Sequence, residues 1–301
     1  MLVVMEQVFI LFVFAMAGYL LSKCRLVNPA HAKLLSTLLV YVFLPSNIFR
    51  TFSGNCTLPY IREKYPLLIA SAILIAILVV CARFASRLFS KDSYERKVYQ
   101  YSLTIPNYGY MGYALTDSLL GTGGLLNIML FGLPISLYNY SCAFCMLTKR
   151  RISLKTLLHP VISAILLGAV VGLTGFPLPS VISSVMEKSS ACMGPVSMLL
   201  TGITVSEFRF PDLIKNRKTY IIVFLRLIAI PCAIGAVLLP FGNPVLTQSA
   251  VLLFAMPCGL NTIVFPKLVD ENCEIGASLA FVSNILACFT IPLVCALFQI
   301  R

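Results

Sequence analysis

The sequence predicts an all-α polytopic membrane protein with ten transmembrane helices. Of its 301 residues, 59% are hydrophobic and only 11% are charged, whereas a soluble domain is about half apolar and about a quarter charged. Apolar runs of roughly 20 residues, the length that crosses a bilayer as a helix, follow one another along the whole chain. The connections between them are short, so they leave no room for a soluble enzymatic domain.

Charged residues, prolines and glycines separate the ten predicted helices. In chain order these helices span residues 4–22, 32–52, 66–88, 97–120, 124–147, 157–175, 180–207, 218–239, 246–268 and 274–299. The first apolar run is followed by Lys23 and Arg25 and has no basic segment before it. This pattern favours a retained span over a cleaved signal peptide.

Lysine and arginine are distributed unevenly among the connections. The odd-numbered connections contain or adjoin basic residues, whereas the fourth, sixth and eighth, at residues 121–124, 175–179 and 240–244, contain none. Basic connections remain in the cytoplasm, so the sequence predicts a plasma (inner) membrane protein with both termini outside. The second connection, with Arg50, Arg62 and Lys64, is a partial exception. We interpret the net charge of +12 as a topology signal and expect no nucleic-acid partner.

Prolines recur at matching places in the two halves of the chain. Pro45 and Pro195 interrupt the second helix of each set of five, and Pro106 and Pro257 interrupt the fourth, at almost the same separation. Because five is an odd number of crossings, the second half must be inverted relative to the first. We therefore expect two inverted five-helix repeats, residues 1–148 and 149–301.

The interrupted fourth and ninth helices are the predicted binding site. Transporters built from inverted repeats bind their substrates near the midplane, where two discontinuous helices face each other. Half-helix N-termini there carry partial positive charge, which suits an anion; two ordinary proline kinks are the alternative. The candidate substrate-binding residues on these helices are Pro106, Asn107, Tyr108, Pro257, Gly259, Asn261 and Thr262.

Three motifs in this order resemble the auxin efflux carrier family, in particular its bacterial-type members related to the plant auxin exporters. They are the break at Leu44 and Pro45, the run from Pro106 to Gly112, and the run from Met256 that continues to residues 264–267. The resemblance covers essentially the whole chain. Two further crossover prolines of the plant pattern would fall at Ala114 and Thr262, where this sequence departs from it.

The resemblance implies a crossover fold like that of bile-acid symporters and sodium–proton antiporters. Helices 1, 2, 6 and 7 would form a scaffold, often a homodimer interface, and helices 3–5 and 8–10 a mobile transport domain. It also implies that Asn107 contacts a substrate carboxylate. Family members include carriers assigned to malonate and similar organic acids.

Four further polar residues lie within apolar runs. Tyr138 and Asn139 fall where the family places polar residues beside the substrate, and Asn139 either faces the cavity or forms an interhelical hydrogen bond. Asn47, beside Pro45, either lines the cavity or caps the helix break. Arg226, an intramembrane charge, either attracts an anion or pairs with Glu207. The ion pair is favoured because the long side chain would reach the interface by snorkelling.

No cofactor, metal site or enzymatic activity is predicted. The eleven cysteines lie mostly within apolar runs and behave as small hydrophobes. An intramembrane enzyme would need a nucleophile with a histidine, or two aspartates. His31 and His159 are peripheral in the sequence, and Asp117 has no second aspartate in the apolar runs.

The expected function is secondary transport (efflux) of a small organic anion by alternating access at the crossing of helices 4 and 9. The alternatives are a sodium-coupled symporter of the bile-acid type and a membrane sensor that binds without transport. The coupling ion, proton or sodium, is left open, as is uniport. The expected partners are the anion, the lipid bilayer and a second copy of the chain.

Overall fold

The regular elements of the protein are helices, as the sequence predicts. The structure, a computed structural model, describes residues 2–149, 160–269 and 271–300, and within these ranges it contains no strand beyond a single isolated bridge. Six helical stretches are long and apolar enough to cross a membrane: Pro29–Asn55, Leu58–Phe89, Tyr108–Phe131, Ser180–Ser206, Arg217–Phe241 and Glu274–Leu297. Three shorter apolar stretches are Phe9–Lys23, Pro160–Thr174 and Pro244–Phe254. This is the architecture of a multi-pass membrane protein.

The α-helices are numbered here in chain order. The first half contains α1 (Leu2–Lys23), α2 (Ala32–Leu38), α3 (Leu44–Asn55), α4 (Leu58–Phe89), α5 (Ser93–Thr104), α6 (Tyr113–Phe131), α7 (Leu133–Tyr138) and α8 (Phe144–Thr148). The second half contains α9 (Pro160–Thr174), α10 (Ser180–Ser206), α11 (Phe210–Lys215), α12 (Arg217–Phe224), α13 (Ile230–Leu238), α14 (Pro244–Phe254), α15 (Asn261–Leu268) and α16 (Glu274–Leu297).

Wide π-helical turns link several of these helices. They are Leu39–Phe43, Tyr108–Gly112, Asn139–Ala143 and Leu225–Ala229. Such turns often mark functional segments of a helix. Within α6, Gly121 has a φ of 65°, which glycine adopts without steric cost. The chain therefore changes direction where the sequence predicts the fourth connection.

The third predicted helix begins earlier than the sequence indicates. It was expected at residues 66–88, but α4 starts at Leu58, where the Thr57 hydroxyl accepts a hydrogen bond from the Tyr60 amide at 3.4 Å. Proline in the first turn is compatible with helix because the N–H it lacks has no partner there. Arg62 and Lys64 therefore lie on a helix rather than in the second connection.

Glycines allow close packing within a group formed by α1, α3, α9 and α10, which we call the four-helix group. A Cβ atom on Gly202 of α10 would collide with the Ala15 carbonyl of α1. One on Gly168 of α9 would lie 3.0 Å from the Phe49 carbonyl oxygen of α3. Small residues at such contacts let membrane helices approach closely. These helices correspond to the predicted helices 1, 2, 6 and 7.

Part of the central connection lies outside the described residues. This holds for His159 and for the basic residues Arg150, Arg151 and Lys155. The predicted sixth helix, residues 157–175, is described from Pro160 onwards as α9. His31 lies in an exposed 3-10 turn, Pro29–His31.

Candidate functional site

Two non-helical segments meet in the interior of the protein. Residues 105–107 lie between α5 and the turn Tyr108–Gly112, and residues 255–260 lie between α14 and α15. The backbone amide of Asn107 donates to the Pro257 carbonyl at 2.8 Å, and the backbone amide of Gly259 donates to the Ile105 carbonyl at 3.2 Å. We call these paired segments the crossover. Each segment supplies partners for backbone groups that the other helix break leaves free.

Gly259 sits where the two segments leave no room for a side chain. A Cβ atom there would lie 2.8 Å from both the Ile105 carbonyl oxygen and a ring carbon of Tyr101. We expect Gly259→Ala to lower the free energy of unfolding by about 1–3 kcal/mol, as overpacking does. Thermal unfolding in detergent measures this. Gly54→Ala is the control, because a Cβ there meets nothing within 4 Å; equal stability of the two variants would contradict the close pairing.

Arg226 binds the C-terminal ends of both interrupted helices. Its side chain is 0% exposed. Nη1 donates to the Leu103 carbonyl at 3.1 Å and Nε to the Met256 carbonyl at 3.4 Å. The guanidinium also lies 5.3 Å from the centre of the Phe254 ring. Helix C-termini carry partial negative charge, so the cation is compensated by carbonyl dipoles rather than by a carboxylate.

The predicted ion pair between Arg226 and Glu207 therefore does not form. Glu207 instead contacts Lys267, with the ammonium 2.6 Å and 2.7 Å from its two carboxylate oxygens. Glu207 follows the end of α10 and Lys267 lies in the last turn of α15, where both side chains are partly exposed. The arginine does not snorkel, since its Nε and Nη1 bind helix ends in the interior, while its Nη2 has no partner among the described residues.

Asn107 has an unusual environment for a buried amide. It is 2% exposed, and neither Oδ1 nor Nδ2 has a hydrogen-bond partner in the part of the chain that the structure describes. Its backbone is fully engaged, since its carbonyl accepts from the Met111 and Gly112 amides. The side chain thus lies at the N-terminus of a half-helix with unused donors and acceptors. A buried polar group of this kind calls for a specific explanation.

The other two candidate asparagines are engaged in a buried network. Asn139 Oδ1 accepts from the Tyr101 hydroxyl at 2.7 Å and from Asn261 Nδ2 at 3.5 Å. Asn139 Nδ2 donates to Tyr108 at 3.3 Å, and Asn261 Oδ1 accepts from Tyr110 at 3.1 Å. Of the two alternatives for Asn139, the structure shows the interhelical hydrogen bond.

The remaining candidate residues contribute to the site through the backbone or through local hydrogen bonds. The Thr262 hydroxyl donates to the Gly259 carbonyl at 2.9 Å and so closes the first turn of α15. Tyr138 is half-buried at the end of α7. Pro106 lies opposite Cys258 in the paired segments, and Pro257 supplies the carbonyl that binds the Asn107 amide. Both prolines therefore shape the backbone of the crossover.

A cavity of about 400 Å³ lies between the four-helix group and α6. We call it the outer cavity, because the charge pattern of the sequence predicts that this end of the helices faces outward. Its ionisable and amide side chains are Asn47, Arg50, Asp117 and Glu187. Asn47 Oδ1 and Arg50 Nε are buried and have no partner among the described residues. Further lining residues, Tyr113 and Ala114, begin α6 directly after the turn that starts beside Asn107.

Arg50 is the residue of this region that the sequence reasoning missed. It was treated only as an exception to the charge pattern of the connections. This exception was a usable signal, because a cation on the side of the membrane where the connections otherwise lack basic residues needs its own explanation. The structure places it one turn beyond Asn47 on α3, on the same cavity wall.

Metal and thiol chemistry have no evident site in the described ranges. Across residues 2–149, 160–269 and 271–300, no group of three or more His, Cys, Asp or Glu side chains is placed to hold a metal ion. Cys142 is exposed and Cys145 is buried, and both are free thiols.

Comparisons with known proteins agree along nearly the full length of the chain. The sequence profile of a family described as "Membrane transport protein" matches residues 3–153 and 143–295. An "Uncharacterized transporter" of Methanothermobacter thermautotrophicus is 24% identical over 294 residues, 96% of each chain. An "Uncharacterized transporter MJ1031" of Methanocaldococcus jannaschii is 24% identical over 310 residues, 96% of this chain and 97% of that protein.

Proposed function

Since this chain belongs to the membrane transport protein family, that of the auxin efflux carriers, we propose that it is a secondary transporter of a small organic anion. The resemblance found in its sequence motifs is thereby confirmed at the level of the family. The observation that carries the proposal is the side-chain amide of Asn107, which is buried at the N-terminus of a half-helix and has no partner among the described residues. That position offers a donor and a partial positive charge to a carboxylate.

Arg50, in the outer cavity that Asp117 and Glu187 also line, supports the choice of an anion. Arg50 supplies a guanidinium whose Nε is unpaired within the described residues, and such a group binds carboxylates with two parallel hydrogen bonds. Arg226 is assigned a structural role instead, because its Nε and Nη1 bind two helix ends, although its Nη2 has no partner among the described residues. In this proposal Asn47 and Arg50 receive the anion, and Asn107 with the backbone of Pro106, Tyr108, Pro257 and Gly259 binds it. Tyr138, Asn139, Asn261 and Thr262 hold the crossover in shape.

Alternating access would occur between the four-helix group and the crossover. The proposal is that ten helices form two inverted repeats, residues 1–148 and 149–301, with an elevator movement of the crossover helices. The outer cavity lies between the two groups, and Gly109 packs its backbone near Leu44 of α3, which supports a contact that can slide. The charge pattern supports both termini outside the plasma membrane, and the membership of the family supports a homodimer through the four-helix group.

Transport into proteoliposomes tests the function directly. We expect saturable uptake of labelled malonate under an imposed proton gradient, and we expect Arg50→Gln to raise KM roughly tenfold with a smaller change in maximal rate. This magnitude corresponds to one charge-assisted hydrogen bond. Arg62→Gln is the matched control, since Arg62 is exposed on α4 and does not line the cavity. Equal effects of both variants would assign the result to diffuse surface charge.

The same preparation separates the alternatives. Uptake that requires sodium would favour a symporter of the bile-acid type. Saturable binding of malonate without flux would identify a sensor. If the protein neither binds nor transports malonate or other small carboxylates, the proposed substrate class is contradicted.

A further inference from the structure

A second charged cavity lies apart from the crossover, in the hairpin of α4 and α5. The last turns of α4 present Arg83, Ser86 and Arg87 at helical spacings of three and four residues, which places them on one face. The first turns of α5 present a matching face with Ser93, Arg96, Lys97 and Gln100. The two faces enclose a cavity of about 250 Å³. We call it the hairpin pocket.

Among the described residues, none of the four cations of the hairpin pocket forms an ion pair. Arg96 Nε donates to the Asp92 backbone carbonyl at 3.3 Å, and the Arg87 guanidinium lies 5.5 Å from the centre of the Phe84 ring. The ion pairs that the structure describes are Lys64–Glu63, Lys149–Glu271 and Lys267–Glu207, and none includes a pocket residue. The nearby carboxylates bind mainly within their own turn. Backbone hydrogen bonds lower the pKa of Asp92, and the charge of Arg96 contributes to the same shift. Asp92 accepts from the Tyr94 and Glu95 amides at 2.8 Å, and Glu95 accepts from the Ser90 hydroxyl at 2.7 Å. Four like charges around one cavity repel one another, so a bound anion would relieve this repulsion.

The end of α4 also indicates where the pocket lies relative to the membrane. Phe84 is 59% exposed and Leu88 is 86% exposed. Each directly follows a pocket arginine, so an apolar surface for lipid tails adjoins the charged face. The charge pattern assigns this connection to the cytoplasmic side. A phosphate held by the four cations could therefore belong to a lipid whose acyl chains lie along Phe84 and Leu88.

We propose that the hairpin pocket binds the phosphate of an anionic phospholipid headgroup. Basic pockets between membrane helices on this side are suited to such headgroups. Arg83 and Arg87 approach the phosphate from α4, and Arg96 and Lys97 approach it from α5. Because α5 leads into the crossover at Thr104, a lipid bound to α4 and α5 stabilises the position of the helix that precedes Asn107. The site is independent of the identity of the transported anion.

Native mass spectrometry of the full chain in neutral detergent tests this site. The protein is titrated with phosphatidylglycerol or phosphatidylcholine, and bound lipid is counted. We expect one phosphatidylglycerol to bind about tenfold more tightly than phosphatidylcholine, and Arg83→Gln with Arg87→Gln to abolish that preference. The control is Arg217→Gln with Lys218→Gln, which removes two exposed charges near the start of α12. Equal loss in the control, or no preference in the unmodified protein, would overturn the proposal.

Two further arms keep the test decisive. Arg83→Lys with Arg87→Lys retains both charges, so it should retain the preference even if the glutamine variant folds poorly; loss in the lysine variant would overturn a charge-based site. Glycerol phosphate at millimolar concentration should leave the lipid bound. Displacement by glycerol phosphate would overturn the lipid proposal in favour of a soluble phosphate ester.

Discussion

Asn107→Ala is expected to reduce carboxylate uptake by roughly ten- to a hundredfold without lowering the stability of the folded protein. The loss corresponds to a hydrogen bond to a charged group, worth about 1.5–3 kcal/mol. Stability should stay constant or rise, because neither amide atom has a partner in the described structure and a buried unsatisfied amide is unfavourable. Uptake into proteoliposomes and thermal unfolding in detergent are the two measurements.

Asn139→Ala is the matched control for this variant. It removes an amide that is equally buried but hydrogen-bonded to Tyr101, Tyr108 and Asn261. We expect its free energy of unfolding to fall by about 1–3 kcal/mol, because its partners remain buried and unsatisfied. A stability loss in Asn107→Ala as large as in Asn139→Ala would contradict the absence of hydrogen-bond partners for the Asn107 side chain in the described structure. Unchanged uptake in Asn107→Ala would remove that residue from the binding site.

Arg226→Met is expected to lower the free energy of unfolding by about 2–4 kcal/mol and to affect substrate affinity far less. Methionine replaces the apolar stem of the arginine but not its guanidinium, so it leaves the Leu103 and Met256 carbonyls without the donor that binds them. Each buried acceptor left unsatisfied costs about 1–3 kcal/mol. Thermal unfolding in detergent measures the first effect, and KM of the remaining folded protein measures the second.

Lys267→Met provides the comparison, because it also removes one cation. Its ion pair with Glu207 is partly exposed, and such pairs contribute about 0–1 kcal/mol. A stability loss in Arg226→Met no larger than in Lys267→Met would contradict the structural role. A large rise in KM with unchanged stability would instead assign Arg226 to the path of the anion.

The sequence predicts the helical membrane class and the sites of interruption because both depend on local composition. Apolar runs determine the spans, and α5 and α14 end two or three residues before Pro106 and Pro257, where proline removes a backbone donor. The early start of α4 was missed, because charged residues such as Arg62 and Lys64 looked like a connection. The capping hydroxyl of Thr57 outweighs that pattern.

Partners distant in sequence could not be predicted in the same way. Asn107 and Asn139 are both asparagines within apolar runs, and only the packing of the helices reveals that one is unpartnered and the other bonded. Arg226 likewise selects the Leu103 carbonyl from the other half of the chain. A carboxylate looks like the natural partner of arginine in a sequence, whereas the helix ends that actually bind it become visible only once both breaks are placed together.

The pairing of the two crossover segments also has a consequence for synthesis. Asn107 and Ile105 find their backbone partners in Pro257 and Gly259, half the chain away. When the first half leaves the ribosome and enters the bilayer, the break between α5 and α6 does not yet have the partners it has in the folded protein. Those partners become available only when α14 and α15 have been synthesised. The two halves therefore fold together, and the crossover hydrogen bonds form late in biogenesis.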